Sequence, residues 1–454
     1  MSTQSAAENS FFGFQKNKIG FFVAFFLFAV VLSAMFTDKS GAHELSLSRI
    51  LIILVGSVLV GSVLVCYVHI LYGRLFAEHR SIFIVLVPAS FLLLAIIEKL
   101  LNADLFANYG DDGQITGLLE AGVPFCRWLI GTSVLVKLFK FFQLFYDAIS
   151  AKVFAEISGA IIMFFCSTFL IIRRRTQAMI ILPLTTPVWI LFCLGYNEYY
   201  PFIAGIFVLV SIWLINKKPS EQLFFWAAVA GLLPVVYVGF VPLAGLVIIK
   251  LFFHRKSLLG FTSNLLISAA VVMSSAKVAW GGTLSSLLER LKSDLLIGDR
   301  GAVDEYIGKA LPNIPGTFKI PYAFSLWHFQ DLAFIALFSG GVAFLLFWIP
   351  FGSVSTKNYV LKLKNFRTDS LMLVLLVVSH LIFLLFYIPK LGPTRDIDLY
   401  FSTVLSISIC LGTRLDQLFD SNNINFQDRA RTVSLIAASN SPLILALTVY
   451  GVQR

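Results

Sequence analysis

Charge is what this sequence has least of. Only 13% of its 454 residues are Asp, Glu, Lys or Arg, about half of the roughly 25% that a soluble domain carries. Cysteine is also sparse: there are five. Cys66, Cys166, Cys193 and Cys410 fall in apolar runs, Cys126 falls in a loop, and no Cys-x-x-Cys occurs. A disulfide framework and a structural zinc site are therefore excluded. Alternating segments of about ten residues, the mark of a membrane β-barrel, are missing as well. So is any basic stripe interleaved with loop aromatics, which sets aside nucleic acid as a partner despite the net charge of +10.

What remains is apolar. Hydrophobic residues make up 58% of the chain and the mean hydropathy is +0.86. Apolar runs of about 18 to 22 residues recur along the whole length, each long enough to cross about 30 Å of hydrocarbon at about 1.5 Å per residue. The expected fold is all-α, a polytopic helical membrane protein with about 13 transmembrane helices. They lie near 19–36, 50–72, 82–101, 153–172, 178–194, 199–215, 222–238, 240–253, 258–275, 329–349, 370–389, 399–413 and 432–450. The apolar stretch 222–253 is too long for one span and is broken by Pro234, Gly239 and Pro242, so it divides into two short helices. The first run, Ile19 to Phe36, could pass for a signal peptide. Met35-Phe36-Thr37-Asp38 offers no small-residue cleavage site, so it reads as a retained helix.

Lys and Arg in short loops set the orientation. With the N-terminus in the cytoplasm, Arg74, Arg80, Arg173 to Arg175, Lys217-Lys218, Arg255-Lys256, the Lys357–Arg367 cluster, Arg429 and Arg431 all fall inside. The count is about 19 basic against about 7 acidic residues inside, and about 16 against about 18 outside. The positive excess is thus a topology signal. The acids collect in four outer segments: 102–152, the Gly195–Tyr200 turn, 276–328 and Lys390–Asp398.

Each outer segment carries candidates. In the first, Asp111 and Asp112 stand side by side between glycines, ahead of a short helical pattern over Ile115 to Ala121. After Pro124 an amphipathic stretch, Trp128 to Phe145 with Lys137 and Lys140, is too charged to span and suits the outer interface. Asp112 can cap the short helix, but capping accounts for one acid and not two. Adjacent carboxylates suit a general base, a metal or sugar hydroxyls. In the second segment, Asn197 and Glu198 sit at the tip of a tight turn among Tyr196, Tyr199 and Tyr200. The third is an amphipathic stretch of mixed charge, mostly solvent-facing, with Arg300 as a candidate phosphate ligand and His328 and Asp331 at the entry to the next run. In the fourth, Arg395, Asp396 and Asp398 precede a late span. Arg beside carboxylates at a helix start can cap the helix or hold an anion.

Taken in this order, these segments resemble the GT-C superfamily of integral-membrane glycosyltransferases, which use sugars linked to polyprenyl phosphate. Gly110-Asp111-Asp112-Gly113, followed by the 115–145 helices, is similar to the acidic motif and interfacial helices of that superfamily's first outer loop. Gly195, Tyr196, Glu198, Tyr200 and Pro201 resemble a Gly-Tyr-x-Glu-x-Tyr-Pro turn of a prokaryotic GT-C-like subgroup. Phe324, Ser325, His328 and Asp331, and then Arg395, Asp396, Asp398 and Leu399, resemble its two later motifs. The likeness covers about 82–415. Ile397 stands where the subgroup has tryptophan, and 19–72 adds two spans ahead of the usual first one. The division this suggests is 1–81 as a cytoplasmic tail with two extra helices, 82–415 as the core, and 416–454 as a cytoplasmic loop with a last helix.

The resemblance implies an enzyme of the plasma (inner) membrane with an extracytoplasmic site. It would move a hexosyl or pentosyl unit from a polyprenyl-phosphate donor to a glycan, lipid or protein acceptor, usually with inversion. Asp111 or Asp112 would serve as base and Glu198 as a second carboxylate in the cavity. Asn197 and the late acids would join in substrate binding, and Arg395, with Arg300 and His328, would face the lipid phosphate. The Asp pair permits a divalent cation and does not demand one. A lipid-linked polysaccharide polymerase or a flippase-like transporter is the alternative. Against transport, the runs show no internal repeat and few charges beyond Glu156, Lys250 and Lys277.

Overall fold

The computed structural model describes residues 23, 26–31, 47–73, 80–100, 112–122, 124, 129–145, 150–174, 177–194, 200–216, 222–254, 257–292, 332–333, 341, 368–386, 400–421 and 423–446. Among them there is no strand. Sixteen α-helices and one 3-10 turn account for nearly all of them. Three helices, over Ile50–Leu71, Ala151–Ile172 and Leu258–Trp280, are long and apolar enough to cross a membrane.

The first helices are α1 (Leu47–Leu71), α2 (Arg80–Leu100), α3 (Asp112–Ala121), α4 (Leu129–Gln143) and α5 (Ala151–Arg174). Two seven-residue helices follow, α6 (Ala178–Leu184) and α7 (Pro187–Cys193), then α8 (Tyr200–Asn216). The expected division of 222–253 is found as α9 (Leu223–Val236) and α10 (Val241–Phe253), joined through the 3-10 turn Val238–Phe240. Pro234 rides inside α9 and Pro242 stands in the first turn of α10, where its missing N–H costs nothing. Then come α11 (Leu258–Trp280), α12 (Leu284–Lys292), α13 (Thr368–Phe386), α14 (Phe401–Ser421), α15 (Phe426–Ser439) and α16 (Ser441–Leu445).

Burial sorts these helices into a centre and a periphery. Every residue from Ala178 to Cys193 is buried, as is every residue from Phe401 to Thr413, and α8 is buried or half-buried all round. A helix apolar on every side belongs at the centre of a bundle. Around α6–α8 and α14 stand α1, α2, α5, α9, α10 and α13, and one continuous apolar core joins them. Helix α11 is peripheral: Leu258, Leu259, Leu266 and Val278 are exposed on its outer face, while its inner face meets α9. There Gly231 lets the backbone at Ser268 approach so closely that a Cβ would collide with it, the small-residue contact favoured between apolar helices.

Two runs expected as single helices are interrupted. The 178–194 run breaks at Thr185-Thr186, and the 432–450 run is part of a longer stretch that changes helix at Asn440. Each break is followed by proline, Pro187 and Pro442, at the first or second position of the new helix. Proline supplies no N–H to the preceding turn and clashes with its carbonyl, so the breaks are written into the sequence. The runs 258–275 and 399–413 extend further than their apolarity suggests, to Trp280 and Ser421. Two reasons are visible: Gly281 closes α11 in the left-handed region at φ 73, and Asp416 on the extra turns of α14 finds a buried partner.

Candidate functional site

Helix α3 starts at Asp112, where a carboxylate suits the orphan N–H groups of a first turn. The expected short helix over Ile115–Ala121 therefore begins three residues earlier. The side chain of Asp112 lies outside the described residues, as does Asp111. The expected amphipathic stretch is helical, as α4. Its buried stripe is Leu129, Gly131, Thr132, Ser133, Leu135, Val136 and Phe139. Its other face exposes Lys137, Lys140, Phe141 and Phe142, with Leu144 and Phe145 just beyond. Phe139 and Phe142 meet Phe154 of α5 with ring centroids 5.3 and 5.7 Å apart. Leu119 of α3 joins the same core. A helix that buries one face on protein and shows lysines and phenylalanines on the other fits a water–lipid boundary.

Asn197, Glu198, Arg300, His328, Arg395, Asp396 and Asp398 all lie outside the described residues. The residues that root two of their segments are described, and they touch. Leu194 and Tyr200 flank the Asn197–Glu198 turn; Tyr400 and Phe401 follow the Arg395–Asp398 segment. Tyr200 and Phe401 have ring centroids 5.7 Å apart, Phe192 and Phe401 6.2 Å, and Tyr200 and Tyr237 6.2 Å. Phe207 and Phe240 complete a buried aromatic layer with Phe401 at 6.0 and 6.4 Å. The described residues that flank the two segments are thus neighbours.

Two of the few charges within the runs are buried. Glu156 is 1% exposed, on the second turn of α5 beside the α3–α4 pair, so it adds a carboxylate at that end. Lys250 is fully buried and donates to the Leu214 carbonyl at the end of α8, with its ammonium 5.2 Å from the Trp213 ring. A cation over the last carbonyls of a helix and an indole face is a structural cap. His380, which the sequence reading passed over, is also buried. It shares Nδ1 with the Leu376 carbonyl at 2.7 Å and lies edge-on to Phe207 at 5.0 Å. Its periodic position on an apolar helix hides it among core residues.

At the opposite end, Asp416 accepts the N–H groups of Ala178 and Met179 at 2.8 and 3.1 Å. It caps α6 from α14. Burial, the largest influence, pushes its carboxyl up to about 6 against the two backbone hydrogen bonds. Arg429 pairs with Asp420 at 2.8 Å, donates from Nε to the Ile424 carbonyl at 2.9 Å and covers Phe419 and Phe426. Among the described residues no three His, Cys, Asp or Glu side chains gather as a metal site would need.

No protein-family model, curated protein or solved structure matches this chain.

Proposed function

We propose that the chain is a membrane glycosyltransferase of GT-C type that transfers a sugar from a polyprenyl-phosphate donor to an acceptor on the extracytoplasmic face. In this reading it is a multi-pass protein of the inner membrane with about 13 spans and a cytoplasmic N-terminus. The observation that carries it is the shared anchoring just described. The Glu198 turn and the Arg395–Asp398 segment are rooted on touching rings, Tyr200 and Phe401. Helix α3 begins at Asp112 and leads into an interfacial helix.

The chemistry follows from the residue types. Asp111 or Asp112 takes the proton of the acceptor hydroxyl as it attacks the anomeric carbon. Glu198, with Asn197, holds sugar hydroxyls. Arg395, with Arg300 and His328, meets the charge that grows on the departing lipid phosphate, where fixed cations favour the transition state. Asp396 and Asp398 orient Arg395. A divalent cation, if one takes part, finds carboxylates in the same two segments.

The test is release of lipid phosphate from synthetic polyprenyl-phosphate sugars by the purified protein. Asp111→Asn or Asp112→Asn should lower turnover by about 100-fold or more and Arg395→Ala by a similar factor, with helicity unchanged. Turnover indifferent to all three would end the proposal. The second reading, movement of a lipid-linked saccharide without sugar transfer, is favoured by the two interrupted helices, a device of transporters. It predicts donor translocation in proteoliposomes with no sugar released.

A further inference from the structure

The two interruptions are joined. Asn440 Nδ2 donates to the Thr185 carbonyl at 2.9 Å, across 255 positions of sequence. The first break is central, with seven helical residues on either side of Thr185 and Thr186; the second follows the fourteen residues of α15 and precedes the five of α16. Gly61, midway along α1, faces Ser441 and the Ala438 carbonyl at 3.1 and 3.6 Å from where its Cβ would stand. Gly341 sits against the Asn440 side chain with φ +58 and would touch Pro187 at 3.3 Å. Four chain segments therefore meet around one polar crossing inside the apolar core.

The crossing is saturated with hydrogen bonds. Thr186 Oγ1 donates to the Pro183 carbonyl at 2.8 Å and accepts from Trp189 N–H at 3.4 Å. Thr185 Oγ1 donates to the Leu182 carbonyl at 3.1 Å, and Ser441 Oγ donates to that of Ala438 at 2.7 Å. Thr185, Thr186, Asn440 and Ser441 are each no more than 1% exposed. Local hydroxyl bonds stand in for the rungs that Pro187 and Pro442 remove. Such a joint can change angle without stranding a backbone group in an apolar interior, which would cost several kcal/mol.

The halves on either side of the first break send their hydrogen bonds to different helices. The N-terminal half, α6, donates two backbone N–H groups to Asp416 of α14 and packs against a glycine of that helix, Gly412. The C-terminal half, α7, bonds to α5 instead: Trp189 Nε1 donates to Ser167 Oγ at 3.1 Å, and Cys193 Sγ lies 4.0 Å from the same hydroxyl. A break whose two halves hydrogen-bond to different helices is where those helices can move against one another, and the ring contact between α7 and α14, Phe192 on Phe401, is an edge that tolerates sliding.

We infer that Thr185-Thr186-Pro187 and Asn440-Ser441-Pro442 form one coupled hinge, about which α5 and α7 rock against α6 and α14. The Asn440–Thr185 bond makes the two breaks bend together. The inference does not depend on the chemistry proposed above and would stand for a transporter equally.

Hydrogen exchange on the full-length protein in lipid nanodiscs tests it directly. The amides of 184–189 and 440–444 should exchange at least about tenfold faster than those of 204–211 in equally buried α8, and at rates matched to each other. Asn440→Ala should unmatch the two rates, and Pro187→Ala with Pro442→Ala should slow both by a similar factor. Breaks as protected as α8 in the wild type would overturn the hinge, whatever the variants do. Rates that stay matched in a folded Asn440→Ala protein would overturn the coupling. Loss of sugar transfer with these exchange patterns intact would count against the proposed reaction alone.

Discussion

The two ends of the bundle are held in different ways. At the Asp416 end the contacts are directional: a carboxylate on two backbone N–H groups, a guanidinium on both a carboxylate and a carbonyl. At the Tyr200 end, among the described residues, rings pack on rings at 5.3 to 6.4 Å between Phe192, Tyr200, Tyr237, Phe240 and Phe401. Hydrogen bonds to backbone fix the register of α6 on α14 to within a few tenths of an ångström. Aromatic edges tolerate sliding and tilt at little cost. The protein is therefore rigid where Asp416 holds α6 and adjustable where Tyr200 meets Phe401, and the proposed hinge lies between the two.

The comparison can be broken hardest at Gly412. A Cβ there collides with the backbone of Met179, and backbone cannot step aside as a side-chain tip can. Gly412→Val should cost about 3 kcal/mol or more, read as a drop in thermal midpoint and a loss of the α6–α14 contact. Next is Asp416→Ala, which strands two N–H groups and should cost about 1 to 2 kcal/mol. A midpoint unchanged by that substitution would remove the directional clamp from the account.

The same carboxylate gives a pH signature. Its folded pKa, about 6, lies above the ordinary 3.8 because of burial. The folded state therefore holds the proton more tightly than the unfolded state between about pH 4 and 6. Stability from this group falls as pH rises through that window and is level above it. Wild type measured against Asp416→Asn should show this slope, with the other carboxylates cancelling; equal slopes would sink the claim.

At the aromatic end, Phe401→Leu should cost only about 1 kcal/mol while changing the proposed sugar transfer more than stability, since Phe401 roots the Arg395 segment. The smallest effect is Asp420→Asn. Its side chain is 73% exposed, and surface pairs contribute roughly 0 to 1 kcal/mol. Arg429 keeps its carbonyl and ring contacts, so a loss above about 0.5 kcal/mol would be a surprise.

Much of this architecture is legible in the chain. Apolar runs located α1, α2, α5, α8 and α13 within a few residues, and Pro234, Gly239 and Pro242 marked the α9–α10 division. The amphipathic helix α4 followed from Lys137 and Lys140 among phenylalanines. The Thr185 and Asn440 breaks carried a signal, a polar pair before proline, that apolarity on both sides concealed. Asp416 could not be read at all, because its partners are backbone groups of residues 178 and 179. Of the candidate site, Asp112 as a helix start and the nearness of two segment roots are described. Asp111, Asn197, Glu198, Arg300, His328, Arg395, Asp396 and Asp398 lie outside the described residues.

Helical character, three helices long and apolar enough to cross a membrane, and where most helices begin and end were all legible in the chain. Those properties depend on local periodicity and on proline, which act within a few residues. Only the tertiary structure decided that Asn440 meets Thr185, that Asp416 caps α6, and that Tyr200 rests on Phe401. These are contacts between residues 200 or more positions apart, and they exist only once packing has chosen which helices are neighbours.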